Sequence, residues 1–481
     1  MTKNKNTPVV IGVSSINQKT QLDEALVLMD LATKQAIDDC GNVNISSYIN
    51  DIQIPKGYWK YRDPGKWLSK KNGILDAKTS IAKVGVLQQS LIDSACKKII
   101  DGEVGASLIL GAESRYKMIQ ALKNNESYKE TKLTTNPDNY IKAQDELRIP
   151  EEEKFLGKMA VGYYSIIESA YRFNKKNSIE SHNDKIAEIY SEFSQIATNN
   201  KDGWIDRPFS KKEIMNCSPS NKLQAYPYNK LHCTSWNVNQ ASALIICSLE
   251  VADKLKINER KRVYPLASSQ TNHMIPTIQR KNLIKSDGMQ LAADFISNYC
   301  NRNDIKPNLF DMYSCFPIAV ELFADTLNKK FDASLTITGG MPYAGGPLNH
   351  FVLTSTVKMI EKIREDISGI GLVTGVSGLM TKQSYALWAK ECISKYEFKD
   401  VTSVAKKLDI PVKLSNLENG KVMVIGYTIL EEDGKNKAIL FCNDKDNKRK
   451  VLVCDNQKYI KKMKKVEWVG KEVEFVGDYL I

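Results

Sequence analysis

The sequence predicts an α/β protein made of two similar halves, followed by a small all-β domain. Three observations support this prediction: apolar β-type runs alternate with amphipathic helical patterns up to about residue 400, this alternation occurs twice, and short β-type runs separated by turn signals follow it. The repeated order of elements suggests an internal duplication. With 481 residues and 42% hydrophobic composition, the chain can bury a large core.

The first half, residues 1–250, begins with βαβ alternation. Its second helical pattern follows Gly85, carries apolar residues four positions apart and ends at Gly102, before a buried strand. A helix that leads back to a buried strand in this way is typical of a parallel sheet. The predicted strands are 9–13, 52–54, 106–110 and 241–247, and the predicted helices are 23–39 and 86–100.

A polar stretch from about residue 115 to 225 interrupts this half. It is rich in lysine and asparagine and carries two helical patterns, 150–173 and 178–198. We interpret it as a helical segment inserted into the first half rather than as a domain with a core of its own.

The second half, residues 251–400, repeats the alternation of helices and strands, and residues 401–481 form the β domain. The predicted helices are 288–301, 318–327 and 350–363, and the predicted strands are 309–313, 335–337 and 371–376. Beyond residue 400, β-type runs at 421–430, 438–442 and 449–453 predict a small barrel of the OB type.

A glycine-rich loop follows the predicted strand 335–337. The pairs Gly339-Gly340 and Gly345-Gly346 permit positive φ and close approach of another group to the main chain. Free N–H groups at the start of the next helix favour a negative or polarised ligand. A tight turn with a purely structural role is the other interpretation.

Composition narrows the class of protein. No window approaches 18 consecutive apolar residues and the N-terminus lacks the apolar segment of a secretory signal, so we expect a cytoplasmic protein with no membrane span. Ten cysteines without metal-type spacing indicate reduced core residues, and no two of the four histidines are close enough in sequence to indicate a metal site. The net charge of +12 is spread along the chain, as on a solvated surface.

Five segments in order resemble the thiolase superfamily, and specifically the thiolase-like proteins of type 1, relatives of the sterol-carrier-protein thiolases. The segments are helix 86–100 with the Gly-Ala-Glu-Ser run at 111–114, and 230–241, 313–316, 339–347 and 375–382. The resemblance covers essentially the whole chain. It implies two tandem βαβαβ halves in a duplicated, five-layer αβαβα thiolase fold, an appended β domain, and CoA thioesters bound where the glycine loops meet.

The resemblance also locates the catalytic positions of ordinary thiolases, and all three lack the expected residue. The nucleophilic cysteine would stand at about Gly85, and the Gly-His-Pro loop falls on Gly345-Gly346-Pro347, with Gly346 in place of the histidine. The second cysteine would fall near 375–378, where there is no thiol. Acyl transfer by the usual thiolase route is therefore not expected.

Two residues are candidate substitutes. Cys315 lies in a Tyr-Ser-Cys-Phe run where the sterol-carrier-protein thiolases have His-Asp-Cys-Phe, ahead of a predicted helix whose N-terminus could stabilise a thiolate. A packed, inert thiol is the alternative. His350 could act as a substitute base, or it could face solvent or a carboxylate at its helix start. His232 and Cys233 are adjacent on an extended segment and should point to opposite faces, which argues against a dyad.

The sequence thus predicts a protein that binds CoA or an acyl-CoA thioester as a ligand or substrate, with no covalently bound cofactor and no metal. Acetyl-CoA acetyltransferase-like activity, with a role in lipid metabolism, is one expectation, and a non-catalytic CoA-binding or scaffold protein is the alternative. We expect a monomer or homodimer and a docking or lid role for the β domain rather than nucleic-acid binding. The predicted binding residues are Gly85, Gly339, Gly340, Met341, Gly345, Gly346, Ser377 and Gly378.

Overall fold

Two mixed β-sheets, with helices between them and outside them, form the main body of the protein. The computed structural model describes residues 4–143, 147–432 and 434–481. The elements of the first half, before the insertion, are β1 (Pro8–Asn17), α1 (Ala25–Cys40), β2 (Ile49–Pro55), α2 (Pro64–Lys71), β3 (Lys78–Ala82), α3 (Gln89–Ile100) and β4 (Ala106–Ser114).

The inserted segment supplies helices and short strands before the chain returns to the first sheet. These elements are α4 (Arg115–Lys123), β5 (Asn139–Ile141), α5 (Pro150–Leu156), α6 (Ala160–Asn174), α7 (Ile179–Asn199), α8 (Lys211–Met215), β6 (Leu223–Ala225) and β7 (Tyr228–Asn229). The helix predicted over 150–173 is two helices, α5 and α6, because Gly157 adopts φ +65° and ends the first. Both α6 and α7 contribute side chains such as Tyr163 and Tyr190 to the main core.

The second half completes the sandwich. Strand β8 (Asn239–Ser248) returns from the insertion to the first sheet, and α9 (Leu249–Lys254) follows it. The elements after these are β9 (Tyr264–Thr271), α10 (Asp287–Arg302), β10 (Leu309–Asp311), α11 (Pro317–Thr326), α12 (Met341–Ala344), α13 (Phe351–Glu365), β11 (Ile370–Ser377), β12 (Lys382–Ala389), β13 (Glu397–Asp400) and α14 (Thr402–Leu408).

The sheets and helices stack in five layers. The first sheet has the strand order β1-β8-β4-β2-β3-β5 and the second β10-β11-β12-β9-β13. Helix α1 covers the outer face of the first sheet, α3 and α13 lie between the sheets, and α10 covers the outer face of the second. Strands β2, β3 and β4 are parallel, and β8 is antiparallel to both β1 and β4. The predicted αβαβα fold class is confirmed.

The strand predicted at 335–337 is wrong. Residues Ala333–Leu335 form a 3-10 turn, and the backbone that follows bonds to a buried carboxylate instead of to a neighbouring strand. Asp311 Oδ1 accepts hydrogen bonds from the backbone N–H groups of Ile337 and Thr338 at 3.0 and 3.1 Å, and from the hydroxyl of Thr336 at 2.8 Å. An ionisable side chain has therefore taken the place of a strand partner.

The C-terminal domain is a closed five-stranded barrel, as predicted. Its elements are β14 (Asn419–Glu432), β15 (Lys435–Asn443), β16 (Arg449–Cys454), α15 (Gln457–Met463), β17 (Glu472–Val476) and β18 (Tyr479–Leu480). The barrel packs on α6 through β14, and the buried guanidinium of Arg172 donates to both carboxylate oxygens of Glu467 at 3.0 Å. Within the described ranges, no helix has the length and apolar character that a membrane crossing requires.

Candidate functional site

A cavity of about 400 Å³ lies where the two halves meet, at the ends of several strands. One wall comes from the β3–α3 loop and another from the β11–β12 turn. The segment before α11 and the beginning of α6 supply the rest. Its lining includes Tyr58, Gly85, Gln88, Arg148, Lys158, Met159, Tyr164, Trp236, Tyr313, Cys315, Phe316, Ser377, Gly378 and Lys382.

Cys315 lines this cavity from the segment that connects β10 to α11. Its carbonyl accepts hydrogen bonds from the N–H of Thr234 at 3.2 Å and from the Thr234 hydroxyl at 3.1 Å, which fixes the backbone ahead of the helix. Burial raises the pKa of the Cys315 thiol to about 12, against a hydrogen bond from the Tyr164 hydroxyl. The thiol is therefore neutral near pH 7, and the packed thiol describes Cys315 better than the stabilised thiolate.

Three of the eight predicted binding residues line the same cavity: Gly85, Ser377 and Gly378. Gly85 adopts φ +101°, and a Cβ there would lie 2.7 Å from the Cβ of Ala143. The ammonium group of Lys382, on β12, lies 3.4 Å from the carbonyl oxygen of Gly85. This contact joins the loop before α3 to the second sheet at the cavity wall.

The five predicted residues of the glycine loop lie elsewhere. Among the described residues that line the cavity, none of Gly339, Gly340, Met341, Gly345 and Gly346 is found, and all five are buried against other parts of the protein. A Cβ on Gly345 would lie 2.5 Å from the side chain of Gln240, and one on Gly346 would lie 2.2 Å from Thr234. The paired glycines therefore serve close packing, which the sequence offered as the alternative.

His350 is buried at the start of α13 and lies outside the cavity lining. Its Cβ packs on Gly111, where an added Cβ would lie 2.5 Å away, and burial lowers the pKa of His350 to about 3. Among the described residues, its Nε2 has no hydrogen-bond partner. His350 thus faces neither the cavity nor solvent nor a carboxylate, and no contact connects it with Cys315. The other histidine considered from the sequence, His232, also lies outside the cavity lining, and its ring accepts a hydrogen bond from the Asn229 N–H at 3.1 Å.

Basic side chains surround the cavity and an adjoining one. Arg148, Lys158 and Lys382 line the first, and a second cavity of about 550 Å³ shares Gly85, Ala143 and Lys382 with it. Lys142 and Lys406 line that second space. The two cavities adjoin, and their five basic side chains outnumber Asp400, which lines the second, and Glu153, which lies 3.1 Å from Arg148 and 3.9 Å from Lys158. This excess of positive charge suits an anionic ligand.

Sequence reasoning missed two groups of buried ionisable residues. Asp311 accepts hydrogen bonds from the residues just before the glycine loop. Its position as a charged residue at the end of an apolar strand was the sequence signal that could have identified it. Glu168, His182 and Glu321 come together from three helices, with one ligand atom of each within 4.8 Å of the others. Their separation in sequence left no spacing signal.

The layered sheets, the central helices and the cavity between the halves define a protein of the thiolase fold. No family model and no curated protein sequence matches the chain. The structure is similar to that of a monomeric SCP2-thiolase like protein type 1 from Mycobacterium smegmatis, with TM-score 0.82 and 20% identity over 100% of this chain and 99% of that chain.

Two thiolase-fold enzymes are also similar over most of the chain. An acetyl-CoA acetyltransferase from Syntrophomonas wolfei has TM-score 0.55 and 15% identity, covering 81% of this chain and 100% of that chain. Human mitochondrial 3-ketoacyl-CoA thiolase, in complex with CoA, has TM-score 0.53 and 14% identity, covering 80% of this chain and 98% of that chain. These likenesses confirm the predicted thiolase fold.

Proposed function

We propose that this protein binds CoA and acyl-CoA thioesters in the cavity between its two halves. The observation that supports this most is the pair of adjoining cavities: one of about 400 Å³ that Cys315 lines, and a second of about 550 Å³ that shares Gly85, Ala143 and Lys382 with it, with basic side chains on both. A thioester could lie at the inner end and the CoA phosphates near the lysines. The fold likeness to a thiolase described in complex with CoA supports the same ligand class.

Binding without turnover by the usual thiolase route is the function that the geometry favours. A nucleophilic acyl transfer needs a thiolate and a group that takes its proton. Burial holds the pKa of Cys315 near 12 and lowers that of His350 to about 3, and no contact joins these two residues. The positions that resemble the ordinary nucleophile and base hold Gly85 and Gly346.

Acyl transfer through Cys315 is the second candidate, because the thiol lines the cavity and the Tyr164 hydroxyl bonds to it. In that reaction the sulfur would attack the thioester carbonyl, the thiol proton would pass to the departing CoA sulfur, and an acyl-cysteine would remain. Free CoA is the measurable product.

Calorimetric titration with CoA and then acetyl-CoA tests the binding proposal. Ser377→Tyr places a large ring in the cavity and should abolish saturable binding, whereas Ser220→Tyr, at an exposed position, should bind like the wild type. Absence of binding by the wild-type protein, or equal binding by both variants, would remove the cavity from consideration.

A thiol-release assay separates the two candidate functions. The non-catalytic protein should bind acetyl-CoA and release no CoA beyond the buffer rate. Release of CoA that disappears in Cys315→Ala would instead establish acyl transfer through this cysteine.

A further inference from the structure

Three helices bring a histidine and two glutamates together inside the core, away from the cavity. Glu168 comes from α6, His182 from α7 and Glu321 from α11, and exposure of each side chain is at most 3%. One ligand atom from each lies within 4.8 Å of the others, and His182 Nε2 lies 2.6 Å from Glu168 Oε1.

The buried carboxyl groups of Glu168 and Glu321 lie close together and need compensating positive charge or protons. An isolated buried carboxylate is costly, and a second one beside it raises the cost through like-charge repulsion. A divalent cation bound by both carboxylates and a neutral imidazole would make the cluster electrically neutral. The same neutrality can be reached with protons shared among the three groups, so an independent observation is needed to choose.

An unpartnered oxygen supplies that observation. Oε2 of Glu321 is buried and has no hydrogen-bond partner among the described residues. A cluster completed by shared protons alone would leave this oxygen without any interaction, whereas a bound ion would give it a partner.

The surrounding residues also resemble the outer contacts of metal ligands. The Tyr228 hydroxyl donates a hydrogen bond to the second oxygen of Glu168. A contact of this kind orients a carboxylate toward a metal. The present Nε2···Oε1 hydrogen bond would be replaced, since ligand atoms of a tetrahedral site stand about 3.4 Å apart around bonds of roughly 2.1 Å.

We propose that Glu168, His182 and Glu321 form a structural site for a divalent transition-metal ion such as Zn²⁺. Nitrogen and oxygen ligands of this kind suit Zn²⁺. The ion fastens the inserted helices α6 and α7 to α11 of the second half. Glu168 lies one helical turn after Tyr164, which lines the cavity, so the site also holds one wall of the cavity in place.

Metal uptake by the untagged full-length protein tests this proposal. After removal of metal with a chelator, we expect one Co²⁺ per chain to bind with the visible absorption of a low-symmetry site, and Zn²⁺ to displace it. The thermal midpoint should rise with the concentration of Zn²⁺, because the ion binds the folded state.

Glu321→Gln keeps the shape of the side chain and removes one ligand charge, and it should weaken Co²⁺ binding by at least ~100-fold, given that even outer contacts change affinity by about 10 to 100-fold. Glu152→Gln is the matched control, because Glu152 is also fully buried but lies on α5 outside the cluster. It should bind Co²⁺ like the wild type. Failure of the stripped wild-type protein to take up Co²⁺ or Zn²⁺ would overturn the proposal even if a variant did not fold. Equal Co²⁺ affinity in wild type and Glu321→Gln would do the same.

Discussion

Gly339 lies so close to helix α7 that a Cβ atom on it would stand 2.4 Å from the backbone nitrogen of Ala197. The glycine loop therefore touches the inserted helices at their backbone. This contact joins the insertion to the second half of the fold, and it explains Gly339 by the structural one of the two roles that the sequence left open.

Replacement of Gly339 by alanine should lower the free energy of unfolding by roughly 3 kcal/mol or more, because overpacking adds to backbone strain at φ +90°. Urea unfolding measures this loss. Gly41→Ala is the control, since Gly41 has φ +78° with nothing within 4 Å of an added Cβ and should show the strain of ~1 kcal/mol alone. Equal losses in the two variants would show that the close approach of Gly339 to α7 is not a constraint.

Alkylation by iodoacetamide should distinguish Cys315 from exposed Cys217. Because burial holds the pKa of Cys315 near 12, its thiolate is scarce at pH 7.5, and its rate should rise about tenfold for each pH unit up to pH 11. Mass spectrometry of the peptides reports both sites in one sample. Rapid alkylation of Cys315 at pH 7 would point instead to a stabilised thiolate and to the acyl-transfer candidate.

The buried His350 should make the protein less stable in mild acid. Burial lowers its pKa to about 3, while the unfolded chain takes up the proton near pH 6.5. The unfolded state binds more protons between these values, so the contribution of His350 falls as pH decreases, by about 1.4 kcal/mol per pH unit.

His350→Asn should flatten the dependence of unfolding free energy on pH between about pH 6 and 4.5, whatever its effect on absolute stability. Parallel curves for variant and wild type would show that His350 is protonated in the folded protein. Urea unfolding at several pH values gives both curves.

The basic rim of the first cavity, formed by Arg148, Lys158 and Lys382, should recognise the phosphates of CoA rather than its pantetheine arm. Lys158→Ala should weaken CoA binding by roughly 3 to 10-fold, in the range of an exposed charge pair, and the effect should shrink with added salt. Binding of pantetheine, which lacks the phosphates, should stay unchanged. Lys465→Ala, on the barrel, is a control of equal charge, and a matching loss there would mean that net charge rather than the rim attracts CoA.

The sequence by itself predicted much of the order of elements, the thiolase fold class and the barrel. Apolar periodicity and turn residues are local signals, and they placed helices such as α1 and α10 within a few residues of their observed ends. It also determined which side chains are absent from the ordinary thiolase positions, because a glycine cannot act as a nucleophile or a base. Strands β3, β9 and β12 were missed, and β9 and β12 are buried at every residue, so their sequences carry no alternation of exposed and buried positions.

Only the tertiary structure decided which candidates share a site. Cys315, Gly85 and Ser377 meet in one cavity, whereas His350 and the glycine loop are enclosed by other contacts. Glu168 and His182 lie on the consecutive helices α6 and α7, but Glu321 lies far along the chain on α11, so the meeting of all three leaves no trace in spacing. Burial and the direction of a side chain depend on packing between distant segments, and the pKa of a thiol or an imidazole follows from that packing rather than from its neighbours in sequence.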